Sequence, residues 1–270
     1  IRSKMHTVPD FICQDLDNGD RWQDFNDISI RAIMEAPNGP GKVGYGMKVT
    51  DRDLSGGVML AARQHQFHPV QEYLQRCHDA WDGERGRVDS MLVRYFGVPD
   101  TAYHRQIARM ALVASVVRIF EPGHKFDFAI IIQGLQGLGK STFIQFLYST
   151  EWFGEIDCDL SDRQAVAEQI AGKWGLELPE MSSFHKADHN AAKQFMRRQH
   201  DDVRMAYGRH VMELPRQCVF WGTTNEKKIF KDGTGNRSYW PVMATVETID
   251  TDALLRERDA LWGEAMQLYL

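Results

Sequence analysis

Eight residues in the middle of the chain, GLQGLGKS at 134–141, combine types and spacing suited to phosphate chemistry. Gly134, Gly139, Lys140 and Ser141 occupy the defined positions of G-x-x-x-x-G-K-[ST]. Glycines let successive backbone N–H groups turn inward around phosphate oxygens without an obstructing Cβ. Lys140 would reach the β- and γ-phosphates, and the Ser141 hydroxyl would ligate Mg²⁺. The expected nucleotide-binding set is Gly134, Gln136, Gly137, Leu138, Gly139, Lys140, Ser141 and Thr142, with ATP and Mg²⁺ as cofactors.

Such a loop also needs acid to hold the metal and polarise water, normally at the end of a neighbouring strand. GKWGLELPEM supplies it: Trp174–Leu178 predicts a strand, with Glu177 and Glu180 at or near its end. Glu180 is the preferred catalytic carboxylate and Glu177 its metal-side or structural partner. Further on, Cys218–Trp221 is an apolar strand running into GTTN, which puts Thr223, Thr224 and Asn225 just past a strand end, where open α/β sheets keep their sites. An amide at Asn225 can orient water or contact a γ-phosphate. Arg237, in the turn-rich DGTGNRSYWP, is an always-charged group on a loop, suited to stabilising transition-state charge from a neighbouring subunit.

The elements that must position these groups are legible around them. FDFAIII at 126–132 reads as a buried strand, and Phe143, Ile144, Phe146 and Leu147 as the apolar face of a helix whose positive N-terminus faces the anion. A helix over 162–171, capped by Ser161, precedes the acidic strand. Another covers 187–199. Val203–Tyr207 and Val211–Leu214 read as a hairpin whose tip, Tyr207, Gly208, Arg209 and His210, could touch a nucleic-acid backbone. Upstream, the patterns are mainly helical: 22–36, then a turn cluster at 38–46, then 53–66, a segment opening at His68, a short helix at 89–96, and a long one at 103–120. The arginines of that long helix, Arg105, Arg109 and Arg118, read as solvated or paired. Pro122 and Gly123 end it and mark the expected boundary between a smaller helical domain, 1–122, and an α/β P-loop domain, 123–270.

Composition narrows the class. A chain of 270 residues with 43% hydrophobic content has ample material for packed cores, and a net charge of −5 leaves any nucleic-acid contact to a local patch or an assembled ring. The four cysteines, Cys13, Cys77, Cys158 and Cys218, are scattered without zinc-type spacing and read as buried free thiols of a reducing compartment. No apolar run reaches the ~18 residues of a membrane span. A cytoplasmic protein is expected. The chain begins at Ile1 and ends within a helical pattern at Leu270, as a fragment of something longer would.

With these residues in place, the chain resembles the virulence-associated protein E family, phage and mobile-element ATPases related to superfamily 3 helicases within the AAA+ group. The resemblance rests on WDG at 81–83, PGHKFD at 122–127, GLQGLGKST, GKWGLELPEM, VRMAYGRH, RQCVFWGTTN and DGTGNRSYWPV, in that order. It implies a P-loop NTPase fold, a Walker A loop at Gly134–Thr142, a Walker B carboxylate at Glu180 with Glu177 nearby, a sensor at Asn225 and an arginine finger at Arg237. The hairpin around Gly208 and Arg209 would correspond to one that grips single-stranded DNA. Homo-oligomerisation, as a hexamer, a primase or other replication partner, and a bacterial host cell are further implications. Two departures stand out: Ser238 occupies the place of a second arginine, and Pro179 separates the two carboxylates.

The leading expectation is an ATP-driven, ring-forming DNA translocase or helicase of a phage or mobile-element replication module. An ATPase switch or loader acting through protein contacts is the alternative, and a nucleoside kinase shares only the P-loop.

Overall fold

A computed structural model describes residues 2–4, 12–14, 24–39, 42–64, 66–180, 186–204, 211–226 and 237–270. The chain divides into two compact units, Ile1–Pro69 and Val70–Leu270.

In the first unit, β1 (Arg2–Lys4) pairs antiparallel with β2 (Ile12–Gln14) and parallel with β5 (Gln66–Phe67). Between them lie α1 (Asp24–Glu35), a small hairpin of β3 (Asn38–Gly39) and β4 (Lys42–Val43), and α2 (Asp51–Gln64). The N-terminus of α2 is held by reciprocal bonding: the Asp53 amide donates to Thr50 Oγ1 at 3.2 Å, and the Thr50 hydroxyl donates to Asp53 Oδ2 at 2.6 Å. The unit is therefore less purely helical than expected, because its strands are two or three residues long and carry no alternation to read.

The second unit is an α/β layer structure. Its sheet has the order β12-β6-β11-β8-β7, with β6 at Ala129–Gln133, β7 at Phe153–Glu155, β8 at Gly175–Leu178, β11 at Val219–Thr224 and β12 at Tyr239–Met243. All neighbours are parallel. Burial on both faces explains the near-continuous apolar reading of β6 and β11. Ile130, Ile132 and Trp221 enter one core cluster with Phe143 of α6 (Lys140–Tyr148), whereas Ala129, Ile131 and Phe220 enter another with Val166 of α7 (Arg163–Ile170) and Phe195 of α8 (Lys186–Arg197). No described helix is long and apolar enough to cross a membrane.

The boundary expected at residue 122 moves to Pro69. α3 (Pro69–Asp79), α4 (Arg87–Phe96), α5 (Ala102–Phe120) and the C-terminal α9 (Thr251–Tyr269) supply Val70, Leu92, Leu112, Val116 and Trp262 to the same cluster as Ile130 and Trp221. Pro122 and Gly123 make a turn inside this unit; Gly123 has φ 84° and its amide donates to the Arg216 carbonyl at 2.8 Å.

Several recognisable motifs prove to be structural. In WDG, Asp82 takes two hydrogen bonds from Arg87, both 2.6 Å. Glu264 of α9 is 3% exposed and accepts from the Gly86 amide at 2.5 Å and the Val88 amide at 2.8 Å, holding the start of α4. Of the two states expected for Arg118, solvated or paired, the first does not hold: it is 1% exposed and donates to the carbonyls of His124, Cys218 and Phe126 rather than to an acid. Arg105 and Arg109 do pair, with Asp100 and Asp89. Asp162 rather than Ser161 caps α7, accepting from the amides of Gln164 and Ala165 at 3.0 and 3.1 Å. Cys77 and Cys218 are buried free thiols; Cys158 is free and half-buried.

Candidate functional site

The loop between β6 and α6 carries the residues expected to bind phosphate. Gly137 and Gly139 have φ of 79° and 95°, the left-handed region that glycine adopts without strain. Gly139 is the N-cap of α6 and offers no side-chain acceptor, so the first amides of the helix stay available to an anion. The loop is braced from both sides. The Gly134 amide donates to the Thr224 carbonyl at 3.2 Å, and the Ile249 amide donates to the Leu138 carbonyl at 3.0 Å. Leu138 is buried beneath it, while Gln136, Gly137 and Ser141 are exposed.

Lys140 is 8% exposed and bent back onto its own loop: Nζ donates to the carbonyls of Gly134 and Leu135 at 2.9 and 2.8 Å and to Asn225 Oδ1 at 2.9 Å. Burial pulls its ammonium below the ordinary lysine range, and the nearby carboxylates of Glu180 and Glu177 act against that. Asn225, directly after β11, donates through Nδ2 to Glu180 Oε1 at 3.2 Å. Lys140, Asn225 and Glu180 thus form one hydrogen-bonded chain. Glu180 is exposed and has φ 48°, a conformation disfavoured for any residue with a Cβ.

Glu177 has a different environment. It lies within β8 at 0% exposure, and Oε1 accepts from Ser141 Oγ at 2.8 Å and from Thr223 Oγ1 at 2.5 Å. Oε2 is buried without a hydrogen-bond partner among the described residues. Burial raises the carboxyl above its usual range, the two hydroxyl donors oppose that, and Glu155, opposite Glu177 in β7, adds to it. Glu155 is a functional candidate that the sequence does not single out, and Thr223, expected just past a strand end beside Asn225, lies within β11 instead. The signal for Thr223 is the alternation of VFWGTT, which puts it on the same face as Trp221; for Glu155, a three-residue edge strand leaves almost none.

Among the described residues no three His, Cys, Asp or Glu gather to hold a metal ion. Mg²⁺ does not require such a group: it is commonly held by one or two carboxylates with phosphate oxygens and water. Ser141 Oγ and the partnerless Glu177 Oε2 are hard oxygen donors of that kind, so the residues present fit the ion.

The remaining expected site residues fall elsewhere. Arg237 is exposed and lies just before β12, whose Tyr239 pairs with Ala129, the first residue of β6. The P-loop is at the other end of β6, five residues further along, roughly 17 Å at ~3.3 Å per residue. Arg237 is therefore not brought together with Lys140 in one chain. β9 (His200–Arg204) and β10 (Val211–Pro215) pair antiparallel with Arg204 opposite Val211, as a hairpin requires, but Tyr207, Gly208, Arg209 and His210 lie outside the described residues.

Comparison with solved structures finds similarity to the NrS-1 C terminal region. Its A form apo structure shares 16% identity at a TM-score of 0.48, covering 66% of this chain and 44% of that one. The A form apo structure of residues 305–718 gives 16% and 0.46, over 66% and 43%. A further apo structure of 305–718 gives 16% and 0.47, over 66% and 45%. The chain thus spans less than half the length of each. None of the curated proteins compared matches the sequence. The family model of the virulence-associated protein E-like domain matches residues 74–270, which takes in every described element from α4 to α9, the P-loop and both carboxylates, and the chain belongs to that family.

Proposed function

We propose that this protein is an Mg²⁺-dependent ATPase that works as a ring-forming DNA translocase or helicase in a phage or mobile-element replication module. The observation that carries the ATPase reading is the hydrogen bond from Ser141 of the P-loop to Glu177, an acid 36 positions away in sequence, whose second oxygen is buried and unused.

Lys140 exchanges its contacts with the Gly134 and Leu135 carbonyls for the β- and γ-phosphates, and the amides at the start of α6 take the remaining negative charge. Ser141 and Glu177 would hold Mg²⁺, which when bound offsets the charge developing on the phosphate oxygens. Departure of Lys140 also releases Asn225 Oδ1, while Asn225 Nδ2 keeps hold of Glu180. Glu180 accepts the proton of the attacking water as its oxygen bonds the γ-phosphorus and the bond to ADP breaks. Arg237, at the opposite end of the sheet, serves the nucleotide of an adjoining copy, so that each site is completed by two chains. The segment joining β9 and β10 contacts single-stranded DNA, and the assembly is a hexamer that works beside a primase or other replication proteins.

The test measures ATP hydrolysis and strand displacement on forked DNA, with particle mass. Lys140→Ala and Arg237→Ala are each inactive alone, and mixing them restores part of the activity, because some sites then combine an intact loop with an intact arginine. Wild-type hydrolysis by Lys140→Ala overturns the site; DNA-insensitive hydrolysis without unwinding assigns a switch instead.

A further inference from the structure

β11 passes between the P-loop strand and the acidic strand, and its register fixes what each side chain can reach. Trp221 lies opposite Ile130 on one side and Glu177 on the other; Thr223 lies opposite Ile132. Residues two apart on a strand share a face, so Glu177, Trp221 and Thr223 all look toward the face covered by α6, where Ser141 occupies the first turn. Gly222 is the last residue of β11 paired with β8, and Thr223 continues beyond it.

Two hydroxyls from separate elements therefore converge on one oxygen. Ser141 and Thr223 both donate to Glu177 Oε1, at 2.8 and 2.5 Å, and neither reaches Oε2. Thr223 is 5% exposed. A carboxylate oxygen accepts two hydrogen bonds in its plane, so Oε1 is filled and the carboxylate plane is held by two anchors. Leaving Oε2 buried and unpaired is unfavourable, and an oxygen in that condition is suited to a partner that the chain itself does not supply. Glu155, in register with Glu177, increases the local demand for a cation.

We propose that Thr223 is a positioning residue of the metal site: by occupying Glu177 Oε1 together with Ser141, it leaves Oε2 as the oxygen that takes the divalent cation. This rests on the reading of Ser141 and Glu177 as the metal pair. Groups that orient a metal ligand typically contribute ~10–100-fold in metal affinity. Thr223 acts through Glu177 and does not touch the nucleotide, so nucleotide affinity without metal is independent of it.

The experiment is Mn²⁺ binding followed by electron paramagnetic resonance on the full chain, with a non-hydrolysable ATP analogue, and analogue binding in the presence of a chelator. Thr223→Val, which keeps shape and loses the donor, weakens Mn²⁺ binding by ~10–100-fold and leaves chelator-condition analogue binding within about twofold. Thr223→Ser, which keeps the hydroxyl, restores Mn²⁺ affinity to within about threefold of wild type. If Thr223→Val binds Mn²⁺ as tightly as wild type, or weakens analogue binding equally with and without metal, the positioning role is overturned while the site stands. If Thr223→Val does not fold, Thr223→Ser and Thr223→Ala decide between the same outcomes. If the wild-type chain with analogue binds no Mn²⁺, the metal-site reading itself fails.

Discussion

At the amino-terminal end of the β12-β6-β11-β8-β7 sheet, Arg118 and Arg216 are buried with each guanidinium nitrogen donating a hydrogen bond. Arg118 reaches three carbonyls, and Arg216 reaches both oxygens of Asp201 and the Phe195 carbonyl. At the carboxyl-terminal end Glu177 is buried as deeply, with one oxygen in use twice and the other, among the described residues, not at all. Glu264, 3% exposed, sharpens the contrast: it is a buried glutamate whose two oxygens each accept a backbone amide. A saturated polar network holds a fold together; an unsaturated one is shaped for something that is not part of the chain.

The comparison breaks if the two ends respond alike to mutation. The largest effect is expected at Glu180, where glutamine keeps the size and removes the base: ATP hydrolysis falls ~10²–10⁴-fold, with the thermal midpoint unmoved. Should the midpoint drop instead, the carboxyl end would be structural after all. At the amino end the expected effect is the reverse. Asp201→Ala leaves the Arg216 charge buried and unpaired, which costs about 3–5 kcal/mol in urea unfolding, and replacing both partners by apolar residues of similar volume recovers most of it. Next comes Glu264→Ala, which orphans the Gly86 and Val88 amides at the start of α4 and lowers stability by about 1–3 kcal/mol, read from the same unfolding curves.

The smallest effect belongs to an exposed ion pair. Arg87 holds the Asp82 carboxyl down at about 2, against an ordinary aspartate value of about 3.9. The folded state binds fewer protons than the unfolded state between those values, so this contribution is complete above about pH 4 and disappears as pH falls toward 2. Arg87→Ala is expected to flatten the acid side of a pH–stability profile slightly. An effect as large as that of Asp201→Ala would erase the distinction between buried and surface charge pairs.

Much of the site is local in sequence. The P-loop is a run of backbone geometry written by glycine spacing, and its strand and helix carry uninterrupted apolar patterns; 126–132 and 143–147 predict β6 and α6 to within a few residues. Placing Glu177 and Asn225 at strand ends is likewise readable from where apolar runs stop. Asp162 displaced Ser161 as a cap because both residue types cap well and only the chain path selects one. For Arg118 the sequence left solvation and pairing both open, because its partners are carbonyls at His124, Phe126 and Cys218, which no helical pattern reveals. The expected boundary at Pro122 failed for a similar reason: a helix breaker marks a turn, and whether a turn separates domains depends on what the helices pack against.

The sequence by itself determined that the chain carries a loop of the G-x-x-x-x-G-K-[ST] pattern, an acidic strand and a polar strand end, since each of these is set by residues within a few positions of one another. Only the tertiary structure decided how they are divided. Parallel register brings Thr223 and Ser141 onto Glu177 while leaving Glu180 to Asn225, across separations of 36 to 46 residues. The same register sets Arg237 at the far end of the sheet from Lys140. Strand order and register come from long-range packing of both sheet faces, and a one-residue slip would turn Glu177 away from α6.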